Sequence, residues 1–187
     1  FTSRVPLMIA TLPFTILILF AGFYSCKAFW GEYNYFKVIT EINKGDGIKA
    51  YDAIYKSLGI NAYATRYHLA AASINMALAN SLAQNKDLSD ADKQTLTQLV
   101  QQAVEEAKAA VRLDPRNSGN WENLGDVYNN IISFAQDADT FAIQSYNQAI
   151  FLNPINPNLR IKLGVIYYGQ KNFSEAVKAF ELSVVAK

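Results

Sequence analysis

The stretch Trp121-Glu122-Asn123-Leu124-Gly125-Asp126-Val127-Tyr128 decides the fold, because its second half recurs as Leu163-Gly164-Val165-Ile166-Tyr167. At about 3.6 residues per turn, Trp121, Leu124 and Tyr128 fall on one face of a helix. The glycine that follows each leucine has no side chain, so a neighbouring helix can approach closely there. The stretch therefore predicts an amphipathic helix that packs tightly against a partner.

A second helix is predicted downstream, where Ala142, Tyr146 and Ala149 are spaced so that they share one helical face. Small alanines beside a large aromatic side chain allow two antiparallel helices to interdigitate. Pro154 should end this helix, since proline lacks an amide donor and disfavours helical geometry in the preceding residue. The same pattern occurs at Ala103 to Pro115 and at Ala176 to Phe180.

This helical hairpin resembles the tetratricopeptide repeat, whose copies recur about every 34 residues. The resemblance implies an all-α solenoid of about three to four stacked hairpins, because one hairpin cannot cover its own apolar face. In this chain Leu124 and Leu163 are 39 residues apart. The extra residues fall between Asn129 and Asp139, where they would lengthen either the first helix or the turn after it.

The repeat pattern weakens towards the amino terminus, but helices are still predicted there. Residues 67–78 have the spacing of a first helix. Ser89, followed three residues later by Asp92, is typical of the N-cap of a second helix, which should be long and end near Arg112.

A further, more divergent hairpin is predicted before these helices. Gly45-Asp46-Gly47 indicates a turn. Apolar spacing predicts a helix from Ile48 to Leu58 after that turn. We interpret it as a second helix whose partner, the first helix, runs from Tyr33 to Asn43.

The segment from Val5 to Cys26 contains no charged residue. At about 1.5 Å per residue, a helix of this length spans the roughly 30 Å hydrocarbon core of a bilayer. Aromatic residues follow at Phe29, Trp30 and Tyr33, which is typical of a membrane interface. The sequence therefore predicts an apolar membrane-spanning or filament-core helix with an aromatic boundary in residues 1–31, and a helical repeat domain in residues 32–187.

Composition excludes several classes of function. The chain has one cysteine, Cys26, and one histidine, His68, so it has no internal disulfide and no indicated metal cage. Of the 17 Lys and Arg residues, Arg4 and Lys27 precede residue 32, which leaves 15 against 16 Asp and Glu in the repeat domain. Such a balance gives nucleic acid no basic surface to bind. His68 is expected to cap a helix or to pack at a helix surface.

The sequence also lacks the short motifs that mark common enzymes. No phosphate-binding glycine loop, nucleophile elbow or His-Glu zinc pattern is present. We therefore predict no catalytic residue, no metal, no cofactor and no enzymatic activity.

The resemblance also predicts where a partner would bind, since proteins of this family use their first helices to line a groove. The groove should be acidic and amide-rich in its middle and apolar at its carboxyl-terminal end. It would suit a protein or peptide that has a basic or hydrogen-bonding centre and an apolar anchor. The residues expected to line it are Tyr67, Ala71, Asn75, Glu122, Asp126, Asn129, Asn130, Ile161, Val165 and Tyr168.

Asn172-Phe173-Ser174 matches the sequon for asparagine glycosylation. It falls at the predicted turn between the last two helices, where Asn172 should be exposed. Because so short a motif arises easily by chance, the unmodified residue is the favoured interpretation.

The layout of the chain is similar to the carboxyl-terminal part of bacterial O-antigen ligase and polymerase proteins, in which repeats follow a last membrane helix. Here the apolar helix leads through Trp30-Gly31-Glu32-Tyr33 into the repeats. The resemblance implies a bacterial, membrane-anchored scaffold for protein-protein interaction, with its repeats outside the cytoplasmic membrane and a role in cell-surface glycan assembly. The glycan-transferring residues of that family lie in other membrane segments, so none is assigned to this chain.

A second interpretation is a subunit of a helical surface filament. Phe1 directly before a long apolar helix resembles a mature type IV pilin, although the acidic residue that pilins carry near their start is missing. An apolar helix of this length must be buried either in lipid or among copies of itself. In the filament, residues 5–26 would form the core and the repeats the exterior.

Overall fold

The computed structural model describes residues 5–85 and 87–186, with side chains from residue 11 onward. All regular secondary structure in these residues is α-helical, which confirms the predicted fold class. The helices are α1 (Val5–Asn43), α2 (Gly47–Ile60), α3 (Thr65–Ala83), α4 (Asp90–Leu113), α5 (Ser118–Asn130), α6 (Ala138–Leu152), α7 (Pro157–Gly169) and α8 (Phe173–Val185).

The chain divides into two compact units, Phe1–Ala62 and Tyr63–Lys187. The second unit contains the hairpins α3/α4, α5/α6 and α7/α8, and α1 with α2 forms a further hairpin in the first unit. The predicted three to four hairpins are thus confirmed. In the second unit, apolar side chains of α3, α4 and α5 share one core, which includes Ala72, Met76, Ala107, Leu124 and Val127.

The prediction of a separate helix from Tyr33 to Asn43 is wrong, because α1 continues unbroken from Val5 to Asn43. No proline or turn sequence lies between Cys26 and Tyr33. A single glycine there, Gly31, costs a helix only about 1 kcal/mol, so the helix passes through it. The predicted domain limit after residue 31 accordingly falls inside α1.

The turn from α1 to α2 forms as the sequence predicts. Gly45 has a φ of 76°, and its amide donates to the carbonyl of Ile42 at 2.9 Å. The Asp46 amide donates to the carbonyl of Glu41 at the same distance. These two bonds form a Schellman motif, which requires a left-handed residue after the helix end.

The predicted N-cap of α4 is also confirmed. Ser89 Oγ accepts the Asp92 amide at 3.2 Å, and Asp92 Oδ2 accepts the Ser89 amide at 3.0 Å. This capping box satisfies two amides that the first turn leaves without helical partners. The hydrogen bonds from Ser89 hold the pKa of the Asp92 carboxyl below its ordinary value.

The two joints between successive hairpins of the second unit share one kind of hydrogen bond. After α4, the indole Nε1 of Trp121 donates to the carbonyl of Pro115 at 2.9 Å. After α6, the guanidinium of Arg160 donates to the carbonyl of Pro154 at 2.5 Å. In each joint a long side chain of the next first helix binds the backbone at the proline, and this fixes how one hairpin follows the other.

The two repeat glycines lie where the helices of a hairpin come closest. A Cβ atom added to Gly125 would lie 2.6 Å from the ring of Tyr146, and one added to Gly164 would lie 2.5 Å from the ring of Phe180. The predicted role of these glycines is therefore confirmed. The extra residues of the longer repeat form the connection 131–137, whereas α7 and α8 are joined by residues 170–172.

One described helix, over Thr11–Asn43, is long and apolar enough to cross a membrane, as judged by its length and composition. Its apolar window is not buried at all inside the structure. Phe14, Leu17 and Leu19, for example, are 70%, 68% and 73% exposed. In a core helix of a globular domain, such side chains would instead be buried by neighbouring elements.

Candidate functional site

A charged cluster joins the first helices of the second and third hairpins of the repeat unit. The ammonium group of Lys162, on α7, donates to Glu122 Oε1 at 2.7 Å and to both carboxylate oxygens of Asp126 at 2.8 Å. Glu122 and Asp126 lie one turn apart on α5, so both carboxylates face the neighbouring helix. We call Glu122, Asp126, Tyr146 and Lys162 the α5–α7 cluster.

Tyr146 connects this cluster to the interior of its hairpin. The Tyr146 hydroxyl donates to Asp126 Oδ1 at 2.6 Å, while the ring packs against Gly125. Burial, together with the hydrogen bond to Asp126, raises the pKa of Tyr146 well above its ordinary value. The hydroxyl therefore stays protonated and keeps donating across the physiological range.

Lys162 is held in its charged form by the same carboxylates. Partial burial lowers the pKa of Lys162, but hydrogen bonds and charge interactions with Asp126 and Glu122 outweigh this effect and raise it overall. The acidic middle of the predicted groove is thus partly neutralised by a lysine of the same chain. A basic partner residue would have to compete with Lys162 for these carboxylates.

Sequence reasoning missed Lys162. Its position corresponds to Asn123 of the preceding repeat, which carries no charge, so repeat alignment alone gives no signal for it. The available signal was the pair Glu122 and Asp126 at one-turn spacing, because two like charges on one helix face favour a nearby cation without showing which residue supplies it.

An apolar strip lies on α7 next to the cluster. Ile161, Val165 and Tyr168 are 42%, 55% and 63% exposed and recur at helical spacing. The Tyr168 ring also meets the ring of Phe173, on α8, edge to face at 5.5 Å. The structure therefore places these three predicted groove residues on one accessible surface.

Three other predicted groove residues are not accessible. Tyr67, Ala71 and Asn75 are each no more than 1% exposed, so their assignment to the groove is corrected to the protein interior. Nearly half of the residues of α3 are alanine, serine or threonine. Neighbouring backbone can approach such a helix over a wide arc, which buries positions that larger residues would have kept at the surface.

The remaining singled-out residues lie at the surface or in a helix interface. Asn129 and Asn130 are exposed at the end of α5. Asn172 is exposed too, and its side-chain oxygen accepts the Glu175 amide at 3.4 Å as the N-cap of α8. The expectation that His68 packs at a helix surface agrees with its position, where its Nδ1 lies 2.5 Å from Glu106 Oε2 across α3 and α4.

Residues 142–187 match the tetratricopeptide repeat family model. This part of the chain carries a tetratricopeptide repeat. The matched region contains Tyr146, Gly164 and Phe180, whose contacts produce the close packing within the last two hairpins. Repeats of this kind generally act as scaffolds for other proteins rather than as catalysts.

Solved structures of other proteins share this fold. A tetratricopeptide repeat protein from Thermus thermophilus is 18% identical, with a TM-score of 0.65 over 95% of this chain and 90% of that one. MamA from Desulfovibrio magneticus RS-1 is 15% identical, with a TM-score of 0.65 over 83% of this chain and 75% of that one. At these identities the similarity establishes the fold alone.

An enzyme also contains a similar helical region. A mutant O-GlcNAc transferase from Thermobaculum terrenum is 17% identical, with a TM-score of 0.55 over 75% of this chain but only 22% of the transferase.

Part of the chain also matches curated sequences. Superkiller complex protein 3 is 31% identical in Mus musculus and 30% in Homo sapiens, in each case over 86 residues. The match takes in 46% of this chain but only 5% of the length of either relative.

Proposed function

We propose that this protein is a membrane-anchored tetratricopeptide scaffold whose repeats present a binding face to a protein partner. The proposal depends mainly on the contrast between α1, whose side chains from residue 11 to residue 30 are exposed and mostly apolar, and the well-packed repeats. Removing a large apolar side chain from water gains about 1.5–3 kcal/mol, so a helix with many of them requires an apolar environment.

The dimensions of α1 support a lipid environment. Residues 5–26 would extend about 33 Å at 1.5 Å per residue, which matches the roughly 30 Å hydrocarbon core. Phe29, Trp30 and Phe36 follow on the same helix and are more than half exposed. Exposed aromatic rings just beyond an apolar span are typical of a membrane interface.

The apolar strip beside the α5–α7 cluster supports the partner-binding role. Ile161, Val165 and Tyr168 offer an apolar anchor site, and Asn129 and Asn130 offer amide donors and acceptors nearby on the preceding first helix. Because Lys162 already pairs with the carboxylates, the expected partner is a polypeptide segment with apolar side chains and hydrogen-bonding groups rather than a strongly basic one.

The layout of apolar helix, aromatic boundary and repeats favours a position on the outer side of a bacterial cytoplasmic membrane, within a protein that assembles cell-surface glycans. In that setting the repeats would recruit or position a partner, while glycan transfer would belong to other membrane segments.

A surface filament is the second candidate, and the same exposure of α1 supports it. Helices from several copies could cover one another instead of entering lipid. Both proposals give the repeats the same exterior position, so they differ only in what surrounds α1.

Site-specific photo-crosslinking in cells that make the protein tests the binding face. A photoreactive amino acid at Val165 should give a covalent adduct of defined mass, because that position lies in the apolar strip. The matched control is Phe151, which is 79% exposed on α6. Adducts that are the same from both positions, or no adduct from Val165, would contradict the proposed face.

A further inference from the structure

A cavity of about 270 Å³ opens between α1 and α2 in the first unit. Its volume is close to the roughly 300 Å³ at which small-molecule sites begin. Its charged lining consists of three lysines and two carboxylates. Lys37 lies on α1, and Lys49 and Lys56 lie two turns apart on one face of α2. Ala53, on the same helix, borders the cavity and is itself only 6% exposed.

The charges around this cavity leave positive charge available to a ligand. Glu41 in the lining is paired with Lys44 at 2.8 Å, and Lys49 is paired with Asp46 at 2.9 Å. Within the residues that the structure describes, neither Lys37 nor Lys56 forms an ion pair. The lining residues and their ion-pair partners together include four lysines and three carboxylates, which leaves one net positive charge. They are Lys37, Lys44, Lys49, Lys56, Glu41, Asp46 and Asp52.

The cavity lies directly beyond the aromatic boundary of α1. Lys37 follows Phe36, and its ammonium group lies 4.7 Å from the centroid of the Tyr33 ring. At about 1.5 Å per residue, Lys37 is roughly 10 Å further along the helix than Trp30. Because such rings settle at the membrane interface, the lysines would lie on its water side, from where their long side chains can reach back to the phosphates of the lipids.

We propose that this cavity binds the phosphate group of an anionic membrane lipid. Lys37 and Lys56 approach the phosphate from the two helices, and the space over Ala53 admits the headgroup. The inference rests on the proposed membrane anchor, since only an anchored chain holds the cavity close to the lipid headgroups. A bound lipid would fix the first hairpin at the membrane surface.

Native mass spectrometry of the full chain in a non-ionic detergent tests the site. Phosphatidylglycerol should bind more tightly than phosphatidylcholine, and Lys37→Gln with Lys56→Gln should weaken it by about fivefold for each lysine removed. The matched control, Lys93→Gln with Lys178→Gln, removes the same charge from exposed helix surfaces and should leave affinity unchanged. An equal loss in both double variants, or in neither, would overturn the proposal.

Two further experiments test the shape of the cavity and the source of the phosphate. Ala53→Leu fills the space without changing charge, so it should abolish the preference for phosphatidylglycerol, and a retained preference would overturn the site. Glycerol 3-phosphate carries the same phosphate without acyl chains and should bind far more weakly. Binding as tight as that of the lipid would instead assign the cavity to a free phosphate compound.

Flotation with phosphatidylcholine vesicles distinguishes failure of the anchor from failure of the site. All variants should float, because α1 keeps its apolar span in each. A chain that does not float overturns the anchor and the lipid site together. A chain that floats but binds phosphatidylglycerol regardless of Lys37, Lys56 and Ala53 overturns the site alone.

Discussion

Helices α1 and α7 end in the same pattern of hydrogen bonds, but a different type of residue takes the left-handed position in each. At the end of α1 the left-handed position is Gly45, whereas at the end of α7 it is Lys171, with a φ of 61°. The Lys171 amide donates to Tyr168, and the Asn172 amide donates to Tyr167, both at 2.9 Å. A side chain in this conformation is strained, because its Cβ approaches the following carbonyl oxygen.

Replacing Lys171 by glycine should therefore stabilise the repeat unit by about 1 kcal/mol. Thermal unfolding of the full chain in detergent, followed by the helical circular dichroism signal, measures the change. Lys178→Gly is the matched control, since it puts glycine inside α8 and should cost about 1 kcal/mol. A lower midpoint for Lys171→Gly would show that the left-handed turn is not strained.

At this scale, sequence predicts side chains whose role follows from neighbours along the chain. Ser89 and Asp92 are close in sequence, so their capping box could be predicted. The pair formed by Lys162 and Glu122 joins residues 40 apart, and its partners become clear only when α5 and α7 lie side by side. The buried state of Tyr67 depends likewise on how closely other helices approach α3.

Helix packing in the repeats depends on two glycines that face aromatic rings. Gly125→Ala would place a Cβ 2.6 Å from the Tyr146 ring, so the ring or the helix must move. Overpacking of this kind should cost about 1–3 kcal/mol of unfolding free energy. Chemical denaturation of the full chain in detergent provides the measurement.

Gly169→Ala is the matched control, because a Cβ there meets no atom within 4 Å. It should leave stability unchanged or raise it by up to about 1 kcal/mol, since alanine favours a helix. Equal effects of the two substitutions would refute the close-packing role of Gly125.

The positions of most helices can be predicted from the spacing of apolar residues and from the residues that start and end helices. Helix α4 ends at Leu113, next to the predicted Arg112, and α6 ends at Leu152, before Pro154 as predicted, because such signals act locally. The limit between α1 and the predicted helix at Tyr33 could not be read in this way. A change from apolar to amphipathic composition alters what surrounds a helix without stopping it, so α1 continues through the change.

The α5–α7 cluster makes the stability of the repeat unit depend on pH in the alkaline range. The pKa of Lys162 is raised above its ordinary 10.5, and that of Tyr146 is raised above its ordinary 10.0. Both groups therefore contribute stability that is fully present at neutral pH and is lost as the pH rises through their folded values. We expect the free energy of unfolding to fall above about pH 10.

Tyr146→Phe should flatten this alkaline loss, because it removes one of the two titrating groups, and it should lower stability at neutral pH by about 1 kcal/mol through the lost hydrogen bond. Tyr168→Phe removes an exposed tyrosine and serves as the control. Denaturation curves collected across the alkaline range give the comparison. Identical pH dependence in wild type and Tyr146→Phe would exclude Tyr146 as a cause of the alkaline loss.

For the whole molecule, the surroundings of α1 decide between anchor and filament. The distinction can be measured with a nitroxide label at Leu17→Cys or at Ser174→Cys, each in a Cys26→Ser background, after the chain is mixed with lipid vesicles. Oxygen concentrates in the bilayer, whereas a polar nickel complex stays in water, so the two relaxing agents report the environment of each label.

The membrane anchor predicts that oxygen relaxes the label at residue 17 more strongly than nickel does, with the reverse order at residue 174. A label at residue 17 that the nickel complex reaches as readily as the one at residue 174 would contradict the anchor. Exclusion of both agents from residue 17 would likewise contradict it and would favour helices packed in the core of a filament.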